Sequence, residues 1–356
     1  MRARIVIGAN YGDEGKGTVT ATYAKQSENV LNVLTNGGAQ RGHSILTPDG
    51  SVTFQHFGSG TLHGADTFLS RFFILNPMQF VKEYDELIVK PKRVFRDRLC
   101  RWSTPYDAMA NLIEEQLRKR HCSCGMGIWN TVRRYNETAT ILFDDFVGDP
   151  AAALPYLANV KRYYERRITI PSDWRDTWHA PGIATHFLDD CFRMAELTTT
   201  CELTSLVYDD LIFENGQGLL LCDTGRDTSD TTPSRTGIHD ALALLEPLKG
   251  VDQISAHYVT RPYLTRHGDG RLDGEKPKGQ IAGAIREDRT NHYNENQGEF
   301  RFGELDIQQL YSRVAADAGG IPFVLEVTHC DEMDRVEEFK RAFANVNVYE
   351  SPLIQP

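Results

Sequence analysis

Two glycine-rich stretches near the start of the chain hold the residue types that phosphate chemistry needs. In the first, Gly8-Ala-Asn-Tyr-Gly-Asp-Glu-Gly-Lys-Gly-Thr18, residues Gly12, Gly15 and Gly17 free successive backbone N–H groups of side-chain bulk, and Lys16 adds a point charge. That combination suits a phosphate clamp at the start of a helix. It departs from the usual P-loop spacing, because position 10 is Asn and Gly17 stands where the metal-binding hydroxyl belongs. Asp13 and Glu14 inside the loop are costly beside phosphates unless a divalent cation or a proton transfer occupies the carboxylate. The second stretch, Gly37-Gly-Ala-Gln-Arg-Gly-His43, ends in an imidazole. A lone Gly-His pair is more often a turn with a solvated side chain, and here only its spacing from the first loop makes it a candidate.

Each stretch follows a short apolar run, Arg4-Ile-Val-Ile-Gly8 and Val30-Leu-Asn-Val-Leu34, and Val19–Lys25 after the first loop has helical promise. Repetition of buried strand and glycine turn predicts an α/β protein whose mostly parallel sheet binds ligands at its strand ends. Apolar spacing of three and four predicts helices over 78–92 and 107–120. Further strands are predicted at Asp210–Phe213, Gly218–Cys222 and Pro322–Val327. Residues 266–304, rich in Gly, Asp, Asn and Arg, read as long active-site loops. With no repeat, low-complexity tract or linker, the expectation is one domain with insertions over 1–356.

Lys and Arg total 39 against 49 Asp and Glu, a formal charge of -10, which is the wrong sign for a protein that holds nucleic acid along its whole surface. No apolar run approaches the roughly 20 residues needed to cross a bilayer, and Met1-Arg-Ala-Arg leads into a strand rather than a signal peptide, so a cytoplasmic protein is expected. Seven scattered cysteines suit a reducing compartment. Cys122-Ser-Cys124 has no second Cys/His pair at zinc-site spacing.

Gly12-Asp-Glu-Gly-Lys-Gly17 followed by Gly37-Gly-Ala-Gln-Arg-Gly-His43 resembles the adenylosuccinate synthetase family. His56–Gly60, Ile74–Pro77, Gly125–Ile128, Phe213–Gly218, Asp230–Ser234, Tyr258–Arg261 and Thr328–Asp331 match that family's successive signature segments in order. The resemblance implies a ligase joining L-aspartate to C6 of a 6-oxopurine nucleotide at the expense of a nucleoside triphosphate. By family role Asp13 removes the N1 proton so that O6 can attack the γ-phosphorus, and His43 serves the γ-phosphate as acid or donor. Gly12, Glu14, Gly15, Lys16, Gly17, Gly42 and Asp331 would bind the triphosphate. Asn10, Asp13, Gln40, Ser123, Cys124, Gln217, Thr232 and Arg133 would bind the purine nucleotide, with Arg133 or Arg134 the arginine that reaches across a homodimer. Mg²⁺ is implied at Asp13 and the Gly42 carbonyl.

Three departures from the family pattern bear on which member this is. The chain is shorter than typical cellular members. The arginine-rich aspartate loop is reduced to Asn296–Gly303, leaving Arg301, aided by Arg289 or Arg286, for the aspartate carboxylates. Thr328-His-Cys-Asp331 replaces the Thr-Lys-Leu-Asp that reads guanine in the donor, and Ser123-Cys124 replaces Thr-Thr. Together these resemble the phage branch, which uses dGMP on the way to 2-aminoadenine nucleotides, with ATP or dATP, or else GTP, as donor. An IMP-using enzyme and a catalytically idle nucleotide-binding protein are the alternatives; the second would be expected to have lost Asp13 or His43.

Overall fold

The computed structural model describes residues 1–350 apart from 49, 120–122, 223–230, 282–290, 292–295 and 297. Among these, nine strands form one sheet: β1 (Arg2–Gly8), β2 (Val30–Leu34), β3 (Asp66–Leu69), β4 (Val94–Arg96), β5 (Thr199–Thr200), β6 (Asp210–Glu214), β7 (Gln253–Thr260), β8 (Phe323–Val327) and β9 (Val346–Val348). They lie in the order β9-β8-β7-β1-β6-β2-β3-β4-β5, and every neighbouring pair is parallel. The fold class is therefore α/β around a large parallel sheet, as the alternation of apolar runs and glycine turns predicts.

β1 sits inside the sheet with Ile5 beside Phe213 on one side and Ala256 on the other. Its alternate residues face opposite layers. Ile5 and Ile7 join Phe213, Tyr258, Leu310 and Val314 in one apolar cluster, while Val6 joins Val19, Ile212 and Val259 in another. Being covered on both faces explains why the strand reads as a continuous apolar run. Beyond β1 the chain builds β2 to β5 toward one edge and later β7 to β9 toward the other. The direction of winding thus reverses at β1, where ligand crevices form beyond the carboxyl ends of strands.

Helix α1 (Lys16–Ala24) follows β1 and starts three residues earlier than expected, while α2 (Pro77–Glu86) stops well short of 92 because Leu87 is already extended. Helix α3 (Pro105–Arg118) also starts earlier than expected, with Thr104 and Asp107 capping its first turn reciprocally. Residues expected as a strand at Gly218–Cys222 instead form a short 3-10 turn, Leu219–Leu221. A Cβ at Gly218 would lie 2.3 Å from the Asn10 carbonyl oxygen, so the chain here crosses the first glycine loop instead of entering the sheet. Among the described residues no helix is long and apolar enough to cross a membrane.

Helix α4 (Ile128–Glu137) is docked on α3 by a buried ion pair. Arg134 donates from Nε and Nη2 to the two Asp107 carboxylate oxygens at 2.8 and 2.9 Å, and also bonds the Trp102 carbonyl and the Tyr156 hydroxyl. Both side chains of the pair are fully buried, so removing one leaves a desolvated charge. Arg134→Met is expected to lower the unfolding free energy by about 3–5 kcal/mol, read by denaturant titration. A stability loss below about 1 kcal/mol would show that the pair is not what docks α4.

Candidate active site

Loops leaving β1, β2, β6, β7 and β8 converge on one cavity of about 940 Å³, joined by α3, α4 and the segment 231–233. Backbone conformation at these loops is unusual. Asp13, Gln217 and His329 adopt left-handed φ of 59, 56 and 55°, and Gly12 and Gly15 have φ of 96 and 92°. Non-glycine residues held there cost energy and persist only when their surroundings over-determine them. Arg261, at the end of β7, supplies part of that constraint by donating from Nε to the Asp13 carbonyl at 2.7 Å. Gly218 supplies another by lying against Asn10 and Gly12, backbone on backbone. Gly17, in place of a P-loop hydroxyl residue, lets α1 approach the next strand, since a Cβ there would be 3.2 Å from His43 Cβ and 3.1 Å from Ser59 Oγ.

His43 begins a strand, His43–Thr47, paired with Gly50–Phe54, a hairpin that no apolar pattern announced. Its Nδ1 lies 2.5 Å from Glu214 Oε1 at the carboxyl end of β6. Glu214 also accepts from the Ser59 hydroxyl and, on Oε2, from the Ser59 N–H at 2.9 Å; Arg41 Nη2 stands 3.4 Å from Oε1. Burial alone would raise the Glu214 carboxyl, but His43 and Arg41 beside it hold it down at about 2. Burial, reinforced by Arg41, pushes His43 down to about 4. The imidazole is thus neutral near pH 7, with its hydrogen on Nδ1 toward the carboxylate and Nε2 left for a ligand.

Lys16 is buried, and burial lowers its pKa against the pull of Glu14 and Asp13. Glu14 accepts the Asn10 N–H at 2.5 Å on Oε1, but its buried Oε2 has no partner; burial pushes this carboxyl up to about 7. Both Gln40 side-chain polar atoms, Gln217 Oε1, and Arg41 Nε and Nη1 are likewise buried without hydrogen-bond partners. Native interiors rarely leave such groups unmatched, and here they cluster on one cavity wall. Donors and acceptors both being left over, that pattern belongs to a site shaped for a polar ligand.

The structure brings Gly12, Asp13, Glu14, Gly15, Lys16, Gly17, Gln40, Gly42, His43, Ser123, Cys124, Arg133, Gln217 and Thr232 to this cavity. Ser123 Oγ is tied to Asn111 and to the Gly125 N–H, and burial pushes the Cys124 thiol up to about 11, leaving it protonated. Arg133 lines the cavity while bonded to Glu114. The structure does not bring the other assigned residues to this wall. Asn10 is off the cavity wall because its side chain is spent on Thr260 and Arg313. Arg134 is consumed by Asp107. Arg301 is not on the wall either: its guanidinium is held by Glu275 and by the carbonyls of Gly268 and Gly270. Asp331 is exposed and off the cavity wall, two residues beyond His329, which lines it. Arg286, Arg289 and Cys122 lie outside the described residues. Sequence reasoning missed Arg41, Glu214, Arg261 and Arg266 as wall or support residues, although all four lie inside segments it had singled out.

The family model of adenylosuccinate synthetase matches residues 5–346. The adenylosuccinate synthetase of Trichormus variabilis is 26% identical over 364 residues, spanning 96% of this chain and 76% of that protein. The enzyme of Dehalococcoides mccartyi is 30% identical over 122 residues, 33% of this chain and 28% of its own. Among solved structures, fully ligated adenylosuccinate synthetase from Plasmodium falciparum superimposes with a TM-score of 0.70 at 17% identity, covering 93% of this chain and 77% of that one. The succinoaminodeoxyadenylate synthetase of cyanophage S-2L, bound to dGMP and to dATP as an energy donor, gives 0.66 at 12% identity, covering 99% of this chain and 92% of that one. Both likenesses establish the shared fold. The protein is a carbon–nitrogen ligase built on a nucleotide-binding α/β scaffold. It belongs to the adenylosuccinate synthetase family.

Gly218→Ala places a methyl against two backbone segments that cannot yield without moving the first loop. Its nucleoside triphosphate affinity, measured by calorimetry, is expected to fall at least tenfold, about 1.4 kcal/mol. Unchanged affinity would show that the contact does not shape the loop.

Proposed function

We propose that this protein, as a single domain spanning 1–356, condenses L-aspartate with dGMP at C6, driven by ATP or dATP. The observation that carries the ligase reading is the group of unmatched buried polar atoms around Lys16, Gln40, Arg41 and Gln217, beside an Asp13 whose backbone is pinned from β7. Preference for dGMP draws on the chain's fit to nearly the whole length of the dGMP-bound phage structure, and ATP or dATP as donor draws on His329 replacing the lysine of the segment that reads guanine in the donor. IMP with GTP is the second reading, favoured by the 26% identity to a cellular enzyme.

Asp13 takes the proton from purine N1, and the O6 oxyanion then attacks the γ-phosphorus as the bond to the bridging oxygen breaks and nucleoside diphosphate leaves. The aspartate amine next attacks C6, loses a proton, and displaces inorganic phosphate as the C6–O6 bond breaks. Backbone N–H groups at Gly12, Gly15 and Gly17 and the Lys16 ammonium hold the triphosphate, and His43 Nε2 faces the transferring group once the triphosphate's charge draws a proton onto the ring. Gln40, Gln217 and Thr232 hold the purine nucleotide, with Ser123 at its phosphate. Among the described residues no three His, Cys, Asp or Glu side chains converge. The Asp13 carboxylate and the Gly42 carbonyl on the wall nonetheless suit Mg²⁺, which takes few protein ligands and completes its shell from substrate phosphates. When bound it neutralises charge on the triphosphate. Arg133, partly exposed, is the arginine available to a neighbouring subunit in a homodimer.

Because Arg301 is held off the wall, Arg266, which lines the cavity over the Tyr11 ring, takes the aspartate carboxylates. Arg266→Leu is expected to raise the aspartate KM at least tenfold with the purine KM little changed, whereas Arg301→Leu should move it less than threefold; the reverse ranking would return that duty to Arg301. The activity itself is tested by supplying dGMP or IMP, aspartate, Mg²⁺ and ATP, dATP or GTP, and following phosphate. Release should require both aspartate and the purine monophosphate, fastest with dGMP, and Asp13→Ala should cut it at least 10³-fold. Release independent of aspartate would end the ligase reading. Equal rates with IMP would end the dGMP preference.

A further inference from the structure

Arg41 stands out among the wall residues because the reaction as described leaves it without a task. Its side chain is fully buried, yet only Nη2 has neighbours, His43 Nδ1 at 2.9 Å and Glu214 Oε1 at 3.4 Å. Nε and Nη1, with three N–H bonds between them, have no partner. A guanidinium cannot relieve this by losing its proton, so its buried donors need an acceptor. The position is built rather than incidental. Glu214, at the end of β6, fixes the head, with Nη2 3.4 Å from its Oε1.

An anionic acceptor suits these donors best. Lys16 shares this part of the cavity wall with Asp13 and Glu14 beside it, whereas the carboxylate nearest Arg41, Glu214, already has its oxygens engaged by Ser59 and His43. Arg41 is two residues from His43, the group placed at the γ-phosphate, and Gly42 between them lies on the same wall. Phosphoryl oxygens are the acceptors that the proposed chemistry brings to this spot. Planar guanidinium donors suit the charge gathering on those oxygens during transfer.

Building on the ligase reading, we propose that Arg41 is a catalytic residue supplied within the same chain, whose Nε and Nη1 donors hold the phosphoryl group as it passes to O6 and again as it departs as inorganic phosphate. The group moves from the β–γ bridging oxygen to O6 and then leaves with O6, so one set of donors serves both steps.

The test uses the full chain with Arg41→Gln and Arg41→Lys. Phosphate release by Arg41→Gln is expected to fall 10²–10³-fold in kcat, with the purine and aspartate KM values within about threefold. Added guanidinium should recover part of that loss, a response that a structural role would not give. Arg41→Lys, which keeps charge and bulk, should fold with wild-type Tm and still lose at least tenfold in kcat. Inorganic phosphate itself should bind at least tenfold more weakly to Arg41→Gln by calorimetry. If kcat stays within threefold, or the loss falls wholly on the purine monophosphate KM, or phosphate affinity is unchanged, the assignment is wrong. Wild-type protein that binds phosphate through Arg41 but shows no aspartate-dependent release would instead remove the ligase reading and leave the anion site standing.

Discussion

Glu214 is the buried charge around which the site is assembled. It ends β6, next to β1 in the sheet, and its two oxygens receive the Ser59 N–H and hydroxyl and His43, with Arg41 close by. Those partners come from two separate stretches of chain, the 41–43 loop and the turn at 59, so one carboxylate gathers the cavity's histidine and arginine onto a rigid strand end. A carboxylate taken out of water demands such partners, since stripping one away leaves an uncompensated charge costing several kcal/mol. The same pairing favours the His43 tautomer with its hydrogen on Nδ1.

A second constraint works against stability. Lys16 is buried, while Glu14 Oε2, Gln40, Gln217 Oε1 and two Arg41 nitrogens stay buried without partners, each unmatched group costing about 1–3 kcal/mol. Three side chains in the left-handed region add strain in the same loops. A chain holds this arrangement only because both faces of β1 are packed, with Ile5 and Ile7 on one layer and Val6 on the other. The free protein keeps donors in place before any substrate arrives, which is what phosphoryl transfer requires of a scaffold that contributes mainly position and charge. Glycines mark where this assembly is tightest: at Gly17 the helix meets the His43 strand, and at Gly218 two loops meet backbone on backbone.

Local pattern was enough to expose β1, β2, β6 and β8, because strands covered on both faces carry apolar runs and the turns after β1 and β2 carry glycine. For the first loop and for His43, residue types and spacing were enough to single them out, while the roles of Asp13 and His43 came from the family resemblance and their geometry from Arg261, Gly218 and Glu214. Apolar runs and glycine turns are properties of adjacent residues. What remained hidden depends on partners from 26 to 303 residues away, brought together by packing. Nothing near Arg134 announces that Asp107 consumes it, nothing near Arg301 announces Glu275 and two carbonyls, and Asn10 gives no sign of Thr260 and Arg313. Arg41 and Glu214 likewise become a pair only when β6 is laid beside β1 and β2. Which residue types are present is a property of the chain, but whether a charged side chain is spent on the fold or kept for a ligand is decided by burial and by the partner that packing brings to it.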